Sequence, residues 1–428
     1  MPGLLVIADD LSGAMDVGVQ FAKRGIRAMV TIRPAAESTH VAGLLASNRV
    51  VIVDIQSRHV SATEAARRVT RTADEARAAG LDCFYKKTDS TLRGNLGAEL
   101  EALLNASGFR TLCFVPAHPL LGRTTRDGVQ FVHGTPLHES PFAHDPRSPV
   151  RESDVISILA RQSKAHITLV RQNELDAFVS NPPAGLVVFD AESESDVRCA
   201  AHAIQKAGCL MAMAGPAAFA SCLPDLLPFA KDTASRPFVP RQLLVVNGSL
   251  NEVALRQCAL ARDHGFASTI LTPLALLGDG QRGANARTAL VQESASLITG
   301  GRDLVLASVW HRDECAGFNR AAGHLSSEAR NWPDLIALNI GRIVAGILSE
   351  CLAASESGRP NFTLAVFGGD TLAGIARANH WTGFAPCGEP VPGVALAEIP
   401  GAGIALLSKP GGFGNEDVLL TLRDTIRP

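Results

Sequence analysis

The sequence predicts an α/β protein: two α/β domains with mostly parallel sheets, joined by a linker, with an active site in the inter-domain cleft. Three observations carry this. Short apolar runs alternate with amphipathic stretches along most of the 428 residues, the pattern of parallel strands with crossover helices. A proline-rich break, "LLPFAKDTASRPFVPRQ", interrupts the pattern near residues 229–241, and the pattern then restarts. Hydrophobic residues make up 46%, ample for packed cores. The domains implied are 1–230 and 242–428.

In the first half, strands are expected at Leu4–Ala8, Val50–Ile55, Cys83–Lys86, Leu112–Val115, Ile167–Val170, Leu186–Phe189 and Leu210–Met213. Helical periodicity fills Ala62–Ala79, Gly97–Asn105 and Ser195–Ala207. Gly122–Val150 is poor in apolar periodicity and reads as an irregular excursion. Ala207–Pro224 carries no charge, but Gly215-Pro216 and Pro224 break it into strand, loop and short helix, not a membrane span. In the second half, strands at 243–247, Thr269–Leu271, Asp303–Ser308 and Leu364–Phe367 surround a helix at Val253–His264.

Net charge is −2, with acidic and basic residues interspersed. No basic field for nucleic acid exists, and the chain begins directly with a strand rather than a signal peptide. Nine scattered cysteines without a C-x-x-C fit a reducing cytoplasm better than disulfides or zinc. The sequence leaves a homo-oligomer open.

The chemistry gathers after strands. "LLVIADDLSG" ends an apolar run in Asp9 and Asp10, where ligands of open α/β sheets collect. One carboxylate can cap the following helix, but capping does not explain two. "YKKTDSTLRGN" (85–95) packs Lys87, Thr88, Asp89, Ser90 and Arg93 into one loop, able to hold an anion and hydroxyls together. Arg58 follows another strand, and alone would read as a surface arginine. Arg123 and Arg126 lie in "GRTTRDG", where substrate contact and loop stabilisation are equally good readings.

The second half carries three strand–glycine–helix turns: "VVNGSLNE" with Ser249, "VFGGDTLA" with Gly368, Gly369, Asp370 and Thr371, and "SKPGGFGNED" with Gly411 and Gly412. Such turns let backbone amides approach phosphates. Asp370 could hold Mg²⁺ or cap its helix. Neither G-x-x-x-x-G-K-S/T nor a spaced G-x-G-x-x-G is present, which weakens a Walker ATPase and a nicotinamide domain. A nicotinamide-dependent sugar-acid oxidoreductase and a noncatalytic sugar-acid-binding protein are the rival classes.

Together, "IADDLSGAMD", "YKKTDSTLRGN", "PAHPLLGRTTRDG", "VNGS", "FGGDT" and "KPGGFGNED" resemble the four-carbon acid sugar kinase family along nearly the whole chain. The resemblance implies ATP-dependent phosphorylation of the terminal hydroxyl of a tetronate, with Mg²⁺. It implies that Asp10, Arg58 and Lys87–Ser90, beside Asp9, hold the sugar acid. It implies that Ser249, Gly368–Thr371 and Gly411–Gly412 hold ATP. The chemistry of phosphoryl transfer then leads us to expect that Asp10 or Asp89 takes the hydroxyl proton, while Lys87 or Arg93 steadies the carboxylate or the transferring phosphoryl. "KKTDSTLRG" is more like the D-threonate and D-erythronate kinases than the 3-oxo-tetronate branch, and favours D-threonate. Two stretches depart from the family: His118-Pro119-Leu120 stands where Phe-Pro-Ala is usual, and "AGPAAFA" replaces a Gly-Ser opening near residue 215.

Overall fold

The computed structural model describes residues 3–32, 41–145, 148–231, 239–240, 242–322, 332–356 and 358–426. Contacts divide the chain into two units, Met1–Ala234 and Ser235–Pro428. Most of the expected linker, 232–238 and 241, lies outside the described residues.

In the first unit, β1 (Leu4–Ala8), β2 (Ala28–Ile32), β3 (Val50–Asp54), β4 (Phe84–Lys87) and β5 (Thr111–Phe114) come in chain order. A three-stranded antiparallel sheet follows, made of β6 (Arg123–Arg126), β7 (Val129–Val132) and β8 (Thr135–Pro136). Then come β9 (Ile167–Val170), β10 (Gly185–Phe189) and β11 (Ala212–Gly215). The main sheet runs β2-β3-β1-β4-β11-β5-β10-β9, and every pair is parallel. β1, β3 and β10 are buried at every position, which is why they read as unbroken apolar runs.

The winding sets the site. The chain leaves β1 for β2, returns to β3 beside β1, then crosses to β4 on β1's other flank. The helix after β1, Leu11–Ala22, packs on Ala217–Ala220, whereas the helices after β3 and β4, Ala62–Ala78 and Leu96–Ser107, pack on each other. Loops therefore diverge around β1 and open a crevice at its carboxyl end.

The second unit contains β12 (Gln242–Asn247), β13 (Ala267–Ile270), β14 (Leu304–Ala307), β15 (Phe362–Phe367), β16 (Gly383–Val391), β17 (Val394–Ile399) and β18 (Ile404–Lys409). Its order is β13-β14-β12-β15-β18-β17-β16, parallel as far as β18 and antiparallel beyond. The first four strands repeat the winding of the first unit, with β12 in the place of β1. The helix Glu252–Asp263 packs on Val418–Ile426, while Trp332–Ala353 packs on Gly369–Ala378. Trp332–Ala353 is long and apolar enough to span a membrane by length and composition, but Ile340, Ile343, Val344 and Ile347 are buried in this unit.

Two differences from the sequence expectations matter. Residues 122–150 are not an irregular excursion but carry the β6–β8 sheet, folded at Asp127-Gly128 and His133-Gly134, all four with positive φ. And β2, as long as β1 but with Thr31 interrupting its apolar run, extends the main sheet beyond β3.

Candidate active site

Asp9 and Asp10 follow β1 directly. Asp10 caps the helix Leu11–Ala22, its Oδ1 accepting from the Gly13 amide at 3.0 Å. The second carboxylate is explained by Arg58, which follows β3. Arg58 Nε donates to Asp9 Oδ2 at 2.7 Å, and its terminal nitrogens reach Asp10 at 2.9 and 3.0 Å. The same guanidinium stands 3.9 Å from Asp89 after β4. Arg93 clamps Asp89 with two bonds of 2.7 and 3.0 Å and reaches Asp145 at 3.1 Å. Asp9, Asp10, Asp89 and Asp145 thus alternate with Arg58 and Arg93 across three strand ends.

Burial raises the cost of each charge here, and opposite charges offset it. Burial pushes the Asp10 carboxyl up, but Arg58, Lys87 and the Ser12 hydroxyl pull it further down, so it stays below the ordinary range. Asp89 is held well below it against burial by Arg93 and Arg58. Asp54, the last residue of β3, is the opposite case: burial first, then the Asp10 and Asp9 charges, raise it to about 8. This favours its neutral form near pH 7 and lessens the negative charge beside Asp9 and Asp10.

Lys87 is buried and donates to the Thr88 carbonyl at 2.8 Å. A Cβ on Gly13 would lie 2.6 Å from both its Nζ and Asp10 Oδ1, so only glycine lets this lysine lie over the capped carboxylate. The Thr88 amide donates to the Gly215 carbonyl at 3.0 Å, and Tyr85 Oη to the Pro216 carbonyl at 2.6 Å. The unusual "AGPAAFA" segment thereby anchors the loop after β4. Ser90 is buried, with its carbonyl accepting from Gln130 at 3.0 Å. Asp9 Oδ1 and Thr88 Oγ1 are buried without a hydrogen-bond partner.

Sequence reasoning missed the support beneath. Lys86, alternating to the other face from Lys87, is fully buried and pairs with buried Glu99 at 3.2 Å. Glu99 also accepts from Ser57, next to Arg58. This pair ties β4 to the Arg58 loop. Lys86→Met should destabilise the protein by about 3–5 kcal/mol, because it strands the Glu99 carboxyl. Urea denaturation checks this, and pairing the change with Glu99→Leu should restore most of the loss. Wild-type stability in the single variant would refute it.

In the second unit the predicted nucleotide residues converge. A Cβ on Gly248 would come 2.2 Å from Thr371 Oγ1, and one on Gly411 would come 2.1 Å from Ser249 Oγ. Gly368, with φ of +106°, sits against Thr371 and Ser249, and Gly412 against Asn251. Gly368 and Gly369 open the helix Gly369–Ala378 without a side-chain cap. Lys409, fully buried over the Phe367 ring, donates to the carbonyls of Pro410 and Phe413 at 2.9 Å. Gln257 takes those of Phe413, Gly414 and Asn415. The glycine loop is thus held by its carbonyls, and among the described residues no acceptor meets the Gly411 and Gly412 amides. Neither holding residue stood out in the sequence, since a lysine and a glutamine beside glycines carry no pattern.

Asp370 is exposed in the first turn of its helix. Among the described residues no three His, Cys, Asp or Glu gather as a metal site. The arrangement suits a Mg²⁺ held mainly by nucleotide phosphates, with Asp370 as a protein carboxylate.

Comparison with known proteins agrees with this division. Residues 4–223 match the sugar-binding N-terminal domain family, and residues 244–419 match the nucleotide-binding C-terminal domain family. The chain is 31% identical to a D-threonate kinase of Bordetella bronchiseptica, covering 100% of this chain and 98% of that one. It is 28% identical to a D-erythronate kinase of Heliobacterium modesticaldum, covering 99% and 97%. The crystal structure of Haemophilus influenzae protein HI1011 shares the fold, with a TM-score of 0.71, 20% identity and coverage of 99% and 100%. These matches set aside the oxidoreductase and noncatalytic readings. The chain belongs to the four-carbon acid sugar kinase family and is a sugar acid kinase, with a sugar-binding N-terminal domain and a nucleotide-binding C-terminal domain.

Proposed function

We propose that the enzyme transfers the γ-phosphoryl group of ATP to the 4-hydroxyl of a tetronate, with D-threonate as the preferred acceptor. One observation carries the acceptor side: a buried cluster of alternating charges leaves the buried polar atoms Asp9 Oδ1 and Thr88 Oγ1 without hydrogen-bond partners, Thr88 following Lys87 directly. A ligand with one carboxylate and several hydroxyls needs such a mixture of cations and acceptors. The motif "KKTDSTLRG" supports D-threonate or D-erythronate over a 3-oxo acid.

In this reading the Asp9–Asp10 pair, fixed on Arg58, orients the 4-hydroxyl and receives its proton. A strongly ionised carboxylate is a weak base, which suits a loose phosphoryl-transfer transition state in which the proton leaves late. Lys87 steadies the transferring group. Arg93, committed to Asp89 and Asp145, holds the loop rather than the substrate. Ser249, Gly368–Thr371 and the Gly411–Gly412 amides bind the phosphates, and Asp370 would hold Mg²⁺. Bound Mg²⁺ would neutralise charge on the β- and γ-phosphates. Transfer requires the hydroxyl of the sugar acid and the γ-phosphate of ATP to meet. The nine cysteines, all free thiols, suit the cytoplasm.

The test is ADP release with Mg-ATP on D-threonate, L-threonate, D-erythronate, L-erythronate, 3-oxo-tetronate and D-glycerate. D-Threonate should give the highest kcat/KM. A higher value on another acid replaces the substrate, and silence on all of them overturns the tetronate reading.

A further inference from the structure

The bridge between His118 and Arg123 has no part in the chemistry described so far. The two residues pair antiparallel, the His118 amide donating to the Arg123 carbonyl at 2.8 Å and the reverse bond measuring 3.1 Å. Bridged residues project to the same side of a ladder. Arg123 is only 8% exposed, yet among the described residues no carboxylate lies within ion-pair distance of it. One terminal nitrogen donates to the Leu121 carbonyl, and its Nε has no hydrogen-bond partner. His118 Nδ1 is likewise buried and unpartnered.

A buried, unpaired guanidinium is costly, and an arriving carboxylate would offset that cost through a bidentate pair. The surroundings place this one at the acceptor site. Arg123 and Arg93 both stand over the Phe142 ring, at 5.8 and 5.5 Å, and Arg93 holds Asp89. Burial, followed by the charges of Lys87 and Arg123, pushes the His118 imidazole down to about 3, which puts Lys87 in the same neighbourhood and leaves the ring uncharged at pH 7. An uncharged imidazole donates from one ring nitrogen and accepts at the other, so it can meet a hydroxyl in either role.

We propose that Arg123 binds the carboxylate of the sugar acid and that His118 Nδ1 hydrogen-bonds the hydroxyl on the adjoining carbon, C2. This rests on the tetronate kinase reading and deepens it. D-Threonate and D-erythronate differ in configuration at C2, so His118 is the residue that discriminates between them. A hydroxyl-reading site that loses its partner group loses selectivity steeply, because the remaining polar groups are left unpaired.

The experiment uses the full-length enzyme and two variants, Arg123→Met and His118→Phe. Activity on the preferred tetronate is compared with activity on the corresponding tetritol, which lacks the carboxylate. Tetronate affinity without ATP is read separately by calorimetry. Arg123→Met should lower kcat/KM on the acid at least about a hundredfold while changing that on the tetritol less than about threefold, with ATP affinity unchanged. His118→Phe should move the D-threonate to D-erythronate ratio at least about tenfold towards unity. Should Arg123→Met fail to fold, Arg123→Lys, which keeps the charge but not the fork, should still lower tetronate affinity at least about tenfold. An unchanged acid-to-tetritol ratio in folded Arg123→Met, or unchanged affinity in Arg123→Lys, overturns the carboxylate assignment. An unchanged epimer ratio overturns that of His118. Failure of the tetronate reading itself looks different: the unaltered enzyme would turn over none of these acids.

Discussion

Asp10→Asn should lower kcat at least about a hundredfold on the preferred tetronate while leaving ATP affinity near wild type. The substitution is chosen to separate two duties. Asparagine caps a helix as well as aspartate does, so the bond from the Gly13 amide survives. What is lost is charge. Arg58 now sits between Asp9 and Asp10 with bonds of 2.7 to 3.0 Å, and the asparagine amide would turn a donor towards that guanidinium. The arginine is then drawn towards Asp9 and Asp89, and the acceptor for the 4-hydroxyl is misplaced. Steady-state kinetics with calorimetry for ATP measures this. Wild-type turnover in a folded variant would remove Asp10 from the chemistry, and an equal loss of ATP affinity would mean that the change had spread beyond the acid site.

Gly368→Ala should raise KM for ATP at least about tenfold and leave tetronate affinity unchanged. Its φ of +106° belongs to a region that side chains other than glycine's enter only at a cost of about 1–3 kcal/mol. The strain falls where β15 turns into the helix Gly369–Ala378, whose first amides have no side-chain cap and are proposed to bind phosphate. Relief by rotating the peptide would carry those amides away. Gly248→Ala makes the same point by contact, since its Cβ would lie 2.2 Å from Thr371 Oγ1. Binding of ATP and of tetronate, titrated separately, distinguishes this from general unfolding. Undiminished ATP affinity in both folded variants would place the nucleotide elsewhere.

Much of this site was legible because parallel sheets announce themselves. β1, β3, β12 and β15 are buried on both faces, so their sequences are apolar runs with chemistry directly after them. Asp9, Asp10, Arg58, Ser249 and Gly368–Thr371 all follow such strands. The hairpins β6–β8 escaped because Arg123, Arg126 and His133 masked the alternation, although Asp127-Gly128 is a recognised turn dipeptide. β16 escaped because Pro386 and Pro390 demote a strand. The Lys86–Glu99 pair could not be read at all: adjacent lysines look alike in sequence, and only the strand's alternation sends one into the core and the other to the crevice.

The repeated winding, with β1 and β12 in equivalent places, has an evolutionary reading. Each unit keeps its specificity in the loops after its central strands, while its sheet and helices supply the stability. On the proposed assignment of residues, a change of acceptor asks for new residues only after β1, β3 and β4 and in the bridged hairpin, with the glycine turns of the second unit left alone. Such a chain can diversify among acids by short substitutions in loops and keep one energy donor throughout.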